Sequence, residues 1–263
     1  MNTILNYILW DADFAAFHFA GRDFRWYSFL FVSAIWVAYG TAYPIFKKEK
    51  IDVGHLQSLW LYCLVGAIVG ARLGEVFFYE PAHYWANPME VFKIWKGGLS
   101  SHGATFVLFV IVWLYAVKAM KIPFPAVGDR IVSGIALGAS CVRFGNLMNS
   151  EIVGRVTDVP WAFVFKRVDD LPRHPIQLYE AFAYIFLGIL LYVLYPKMKH
   201  KTGFISGLFL AGMFGVRFFL EFFKQNNSTI TEGFPLTMGQ VLSFPLALAG
   251  IYLMMRKTPE KNS

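Results

Sequence analysis

The stretch I-V-S-G-I-A-L-G-A-S-C-V-R-F-G-N-L-M-N-S-E-I-V-G-R, Ile131–Arg155, decides the fold. Its first half is an apolar run of the kind that crosses a bilayer, where roughly 20 such residues span about 30 Å of hydrocarbon. Its second half puts an arginine, two asparagines, a serine and a glutamate where that helix runs out. A charge at the bilayer centre costs on the order of 3 kcal/mol, less toward the interface, so Arg143 there calls for an anionic partner. Asn146 and Asn149 share a face if the helix continues. With Arg143 they present a planar cation and amide donors to one side, a surface suited to phosphate. Gly145 and Gly154 permit a turn or a close backbone approach. The plainer reading, a helix end closed by a snorkelling arginine and capping amides, stands beside this one.

The whole chain agrees with a membrane fold. Of 263 residues 57% are hydrophobic and 16% charged, with a mean hydropathy of +0.48. Soluble domains carry about 25% charged residues. The net charge of +7 is spread over short loops. It suits anionic lipid rather than nucleic acid, because no basic patch is interleaved with exposed aromatics. Cys63 and Cys141 both fall in apolar runs without Cys/His ligand spacing. That pattern predicts no metal site and no disulfide framework, and it marks both thiols as packing.

Apolar windows predict about seven transmembrane helices, near residues 25–46, 56–78, 99–117, 126–146, 177–195, 204–223 and 236–255. The expected fold is an all-α integral membrane protein, a single polytopic domain over 1–263. Residues 1–24 have no basic residue before Arg22, unlike a signal peptide, and read as an amphipathic interfacial arm. Residues 147–175 read as a small polar head segment outside the cytoplasm. Lysines follow the first, third, fifth and seventh spans, as in Lys47–Lys48, Lys118, Lys197–Lys199 and Lys257–Lys261. The positive-inside rule puts those loops in the cytoplasm, the N-terminus outside and the C-terminus inside.

On that topology the ionisable and amide side chains within the spans collect at the outer ends. Arg72 and Glu75 close the second span, His102 opens the third, Arg143 and Asn146 close the fourth, and Asn149 follows just beyond it. His174, Gln177, Tyr179 and Glu180 open the fifth, and Arg217 and Glu221 close the sixth. Such a shared level marks a site. Each has a bland alternative. Arg217 with Glu221, and Arg72 with Glu75, are spaced to pair on one helix face, and His102 in S-S-H-G can be a satisfied core histidine. A neutral imidazole at this level is also a candidate general base.

Beyond these physical signals, R-F-G-N-L-M-N-S-E-I-V-G-R at Arg143–Arg155 resembles the signature of the bacterial prolipoprotein diacylglyceryl transferases. G-G-L-S-S-H-G at Gly97–Gly103 resembles that family's histidine motif. R-W-Y at Arg25–Tyr27, G-A-R-L-G at Gly70–Gly74, R-H-P-I-Q-L-Y-E at Arg173–Glu180, R-F-F-L-E-F-F at Arg217–Phe223 and M-G-Q-V-L-S at Met238–Ser243 follow in the family's order. Val142, Leu147, Ala104 and Ser101 depart from the usual pattern at packing positions, not at charged ones.

The resemblance implies transfer of the diacylglyceryl group from phosphatidylglycerol to the lipobox cysteine of a prolipoprotein signal peptide. The products are a thioether and glycerol 1-phosphate, and the reaction takes place in the bacterial cytoplasmic (inner) membrane. It implies His102, Arg143 and Arg217 as catalytic residues. It implies Tyr27, Asn146, Asn149, Glu151, Gly154 and Glu221 as substrate-binding residues, with no metal and no cofactor. The partners are phosphatidylglycerol, prolipoprotein signal peptides and membrane lipid, not nucleic acid.

Two other readings stay open at this point. One is a lipid-binding or transport protein without chemistry, which has no need of His102. The other is an intramembrane peptidase or acyltransferase using Ser100 or Ser101, though no G-x-S-x-G elbow is present. The topology has a direct test. In whole cells of a strain carrying a variant free of Cys63 and Cys141, an impermeant thiol reagent should label Asp169→Cys and spare Lys199→Cys. The reverse pattern would invert the topology.

Overall fold

The computed structural model describes residues 7–19, 21–94, 97–98, 100–225 and 236–256, with Ser101 placed by its backbone alone. Residues 1–6 of the arm, and Lys96, Leu99, Asn226, Asn227, Lys257 and Lys261 of the sequence reading, lie outside the described residues, as does the side chain of Ser101. The helices are α1 (Trp26–Lys48), α2 (Val53–Gly74), the short α3 (Pro81–Ala86), α4 (Ser101–Leu114), α5 (Phe124–Met148), α6 (Ile176–Met198), α7 (Phe204–Leu220) and α8 (Met238–Met255). A π-helical turn, Glu75–Tyr79, extends α2, and another, Tyr115–Met120, extends α4. Among the described residues seven segments are long and apolar enough to cross a membrane. The protein is an all-α multi-pass membrane protein, and its spans sit within a few residues of those read from hydropathy.

Among the described residues five short strands accompany the helices: β1 (Ile8–Trp10), β2 (Ala15–Phe19), β3 (Arg22–Arg25), β4 (Phe163–Phe165) and β5 (Pro172–Arg173). Within the segment read as an interfacial arm, residues 8–10 form a strand, paired in parallel with β4, which is antiparallel to β5. The indole of Trp10 donates to the carbonyl of Leu147, 3.1 Å away. Trp10 packs on a small core of Leu147, Val153, Phe163 and Phe165. A strand of three residues is too short for its alternation to be separated from an amphipathic arm by pattern alone. β2 and β3 form an antiparallel hairpin.

The chain gathers into two compact units, Met1–Ala42 with Gly128–Ser263, and Tyr43–Val127. In the first, small residues let helix backbones touch. A Cβ on Gly134 of α5 would lie 2.6 Å from the Ala38 carbonyl of α1, and one on Gly138 would lie 2.7 Å from that of Ala34. This is the small-xxx-small contact that membrane helices use in place of hydrophobic driving force. Asp129 of α5 is buried. It accepts hydrogen bonds from the backbone N–H of Gly203 (2.6 Å) and Ser206 (2.7 Å) and from the Ser206 hydroxyl (2.7 Å). A side chain of one helix thereby satisfies the orphan donors at the start of another, α7.

In the second unit, Gly66, Gly70 and Gly74 line the face of α2 that meets α4; a Cβ on Gly74 would lie 2.7 Å from the Cα of Gly103. Arg72, on the same helix, is buried. Its guanidinium donates to the backbone carbonyls of Val91 (2.9 Å), Gly97 (2.7 Å), Gly98 (3.0 Å) and Glu90, and it stacks 4.8 Å over the ring of Tyr84. Its partners among the described residues are thus loop carbonyls, not Glu75. It pins the segment between α2 and α4. Asp129→Ala should cost on the order of 3 kcal/mol or more, because charge-assisted hydrogen bonds are each worth about 1.5–3 kcal/mol. Thermal unfolding of the detergent-solubilised protein measures this. An unchanged midpoint would show that α7 needs no such anchor.

Candidate active site

The end of α5 is built by its own capping. The N–H of Glu151 reaches the carbonyl of Asn146 (2.9 Å) and that of Ser150 reaches Leu147 (2.9 Å). Ser150 lies at φ 54° and Ile152 at φ 57°. A left-handed residue ends many helices, but a β-branched one in that region is strained and marks a place held by its surroundings. The turn folds Glu151 back over the helix it has just left. Its carboxylate accepts from the amides of Asn146 (3.0 Å) and Asn149 (3.1 Å), and its carbonyl accepts from the Gln177 amide, 2.5 Å away.

From there a continuous polar relay crosses the first unit. Arg143 donates through Nη1 to Asn146 Oδ1 at 3.0 Å and meets Glu180 Oε2 through Nε at 2.6 Å. The Glu180 side chain is fully buried, and its other oxygen lies 2.9 Å from Lys224 Nζ. Lys224 is shared with Glu221 Oε2 at 3.1 Å, and Glu221 Oε1 accepts from the Thr237 hydroxyl at 3.1 Å, just ahead of α8. A Cβ on Gly239 would lie 2.6 Å from Glu221 Oε1, so only glycine leaves room for that carboxylate. A buried charge tolerates low dielectric only when it is paired; both Glu180 oxygens and Glu221 Oε2 are held here by ion pairs rather than by hydrogen bonds.

The residues singled out in the sequence fare differently. Arg143, Asn146, Asn149 and Glu151 come together. Tyr27, in the first turn of α1, lays its ring against Gly145, where a Cβ would lie 2.8 Å from it. Its phenol is within electrostatic reach of Glu151 and Arg143. Gly154 is hemmed in by backbone, since a Cβ would meet the carbonyls of His174 at 2.5 Å and Phe223 at 2.9 Å. Its N–H donates to His174 and its carbonyl accepts from Arg173. Arg217 and Glu221 are not a pair. Glu221 is taken by Lys224 and Thr237, while the half-buried Arg217 forms no hydrogen bond or ion pair with any described residue. Arg217 lies within electrostatic reach of the Tyr184 phenol.

Sequence reasoning missed Lys224 and Tyr184, and it read Glu180 only as one polar group among several. The signal for Lys224 was thin: a single cation just past a span end, the usual mark of snorkelling. In the head, Arg173 holds Asp169 through its Nε and Nη2, and these hydrogen bonds keep the Asp169 carboxyl below its ordinary range. Burial, then the charge of Arg155, holds the His174 imidazole below its ordinary range. His174 Nδ1 lies 3.2 Å from the Tyr179 hydroxyl, which also accepts from the Trp161 indole at 2.7 Å.

The second unit carries His102, in the first turn of α4. The Ser100 hydroxyl caps this helix, accepting from the Gly103 N–H. Ser100 is buried and committed to the cap, unlike a serine nucleophile. His102 is exposed, and its Nδ1 lies 3.0 Å from the Tyr79 hydroxyl. Among the described residues no group of His, Cys, Asp and Glu is arranged to hold a metal.

With this geometry in place, comparison with known proteins is informative. The family model for prolipoprotein diacylglyceryl transferase matches residues 15–256. A protein of Tolumonas auensis named phosphatidylglycerol–prolipoprotein diacylglyceryl transferase is 39% identical over 255 residues, covering 97% of this chain and 99% of that protein. A protein of the same name from Bacteroides fragilis is 41% identical, covering 97% of this chain and 96% of its own length. One from Chloroherpeton thalassium is 38% identical with the same coverages.

The relay makes a thermodynamic prediction of its own. Glu180→Gln leaves Arg143 with no carboxylate and Lys224 with only Glu221. Breaking a buried pair by removing one partner costs about 3–5 kcal/mol. In a double-mutant cycle of unfolding free energies, Glu180→Gln and Lys224→Met should couple by more than about 1 kcal/mol. Additive losses would mean that the ion pair contributes no net stability.

Proposed function

The chain belongs to the prolipoprotein diacylglyceryl transferase family, and we propose that it moves the diacylglyceryl group of phosphatidylglycerol onto the lipobox cysteine of a prolipoprotein. It is a membrane-embedded transferase of lipoprotein modification. We place it in the bacterial cytoplasmic membrane, with the N-terminus and head outside and the C-terminus inside.

The chemistry needs a thiolate and a stabilised leaving phosphate. The thiol proton passes to His102. The sulfur then attacks the glyceryl CH2 that carries the phosphate; an S–C bond forms, the C–O bond breaks, and its electron pair stays on the phosphate oxygen. A phosphodiester monoanion becomes a phosphomonoester, which takes up the proton, and glycerol 1-phosphate departs. Negative charge grows on phosphate oxygens, so planar cations fixed in advance favour the transition state over the ground state.

One observation supports this assignment above the others. Arg143 is oriented from two sides by Glu180 and Asn146, whereas Arg217 makes no polar bond to a described residue although it is half-buried. A guanidinium at such a position finds its anion in the substrate. Arg143 and Arg217 then share the phosphate. Asn146 and Asn149 position Glu151, whose carboxylate accepts hydrogen bonds from the glycerol hydroxyls, and Tyr27 donates one from its phenol. Glu221 contributes through Lys224 and Glu180, and Gly154 through the close packing of head on helix ends.

Incubating purified protein with phosphatidylglycerol and a lipobox peptide should yield the thioether and glycerol 1-phosphate. Cleaved peptide would support a peptidase, and no product a transporter. Arg217→Lys keeps the charge and loses the fork. It should insert and fold but turn over more than about tenfold more slowly, a loss of at least about 1.4 kcal/mol of transition-state stabilisation. Near-normal turnover would leave Arg143 as the phosphate ligand and return Arg217 to packing.

A further inference from the structure

We propose that Tyr79 is a positioning residue for His102, holding its imidazole in the tautomer that leaves Nε2 free to take the thiol proton. The inference rests on the reading of His102 as the base. Its starting point is the way α2 ends. Gly66, Gly70 and Gly74 recur every four residues along the face that meets α4. Continued at helical spacing, that stripe would next present Phe78 to α4. It does not, because Glu75–Tyr79 is a π-helical turn, closed by a bond from the Glu80 N–H to the Glu75 carbonyl at 3.1 Å.

The wider turn accommodates one extra residue and rotates everything after it. Phe78 is thrown outward, 82% exposed, and Tyr79 arrives at the position facing α4. Its hydroxyl reaches His102 Nδ1 at 3.0 Å. A π turn is less favourable than the α turn it replaces and persists mainly where a function needs the altered register. Among the described residues, the polar side-chain contact this turn sets up is the bond to the imidazole. A similar arrangement recurs wherever a histidine's working nitrogen is selected by the hydrogen bond made to its other nitrogen.

The direction of the bond follows from the task. For Nε2 to accept a proton it must carry a lone pair, so Nδ1 carries the hydrogen and donates it to the Tyr79 oxygen. The phenol then also faces the positive charge that develops on the ring when the proton arrives. Ser100 fixes the other end of the arrangement. By capping α4 through Gly103 N–H it holds the helix turn on which His102 sits, and Gly103 in turn lies against Gly74. The base, its orienting phenol and the contact between their helices are therefore one construction.

The test is Tyr79→Phe, which keeps the ring and removes the hydroxyl. The kcat should fall about tenfold, with KM for phosphatidylglycerol within about twofold of wild type, because an oriented base matters to the reacting state and not to lipid binding. A merely structural tyrosine would not produce that split. An independent readout needs no turnover: solid-state 15N spectra of the inserted protein, with the His102 signals identified by their loss in His102→Gln. The expected resting state has hydrogen on Nδ1, and Tyr79→Phe should shift the ring toward the Nε2–H tautomer. Hydrogen on Nε2 in the wild-type protein, or wild-type kcat in Tyr79→Phe, would overturn the proposal. An inactive His102→Gln beside a fully active Tyr79→Phe would sink this inference alone. Wild-type turnover in His102→Gln would remove the base assignment itself and the proposal with it.

Discussion

The fully buried carboxylate of Glu180 is the point on which the first unit turns. It meets Arg143 at one oxygen and Lys224 at the other, and so ties the end of α5 to the segment after α7 from a position on α6. Three charges at this depth are affordable only together, since each alone would bear most of its desolvation cost. The same geometry gives Arg143 a fixed orientation, which on the proposed function is in place before phosphatidylglycerol binds. Preorganisation of that kind is what electrostatic catalysis requires, because donors that must turn toward a developing charge lose much of their effect.

Residues of one type meet opposite fates here according to what their backbone neighbours offer. Arg72 spends its guanidinium on loop carbonyls and a tyrosine face. Arg143 divides its guanidinium between a carboxylate and an amide. Arg217 binds nothing among the described residues. In water the three would differ little. At the edge of hydrocarbon an arginine unpaired among the described residues is costly, and the proposed function gives it the substrate phosphate as its anion. Glycines set up these differences: Gly74 and Gly103 bring α2 and α4 into backbone contact, and Gly239 makes room for Glu221.

Backbone irregularities supply the rest of the precision. The left-handed Ser150 and Ile152 turn Glu151 back onto Asn146, and the π turn exchanges Phe78 for Tyr79 beside His102. Neither is visible in hydropathy. The first lies just past the end of α5 and the second in the last turn of the span that contains α2, where side-chain bonding helps decide the path. The β1 strand belongs to the same class. Ile8–Trp10 joins the head through pairing with Phe163–Phe165, a partner more than 150 residues away in the chain.

The sequence by itself determined the number and limits of the spans, because apolar length is a local property that the bilayer reads directly. It also placed Arg143, Asn146, Glu180, Arg217 and Glu221 near the ends of their spans, and its motifs named the family. It did not determine who pairs with whom. Spacing along one helix suggested Arg217 with Glu221 and Arg72 with Glu75. The tertiary structure gave Glu221 to Lys224 and Thr237 and Arg72 to loop carbonyls. The physical reason is that a buried charge takes the partner that best satisfies it in three dimensions. That partner depends on helix rotation, on close approach at glycines and on turns of one extra residue, none of which has a period in the sequence.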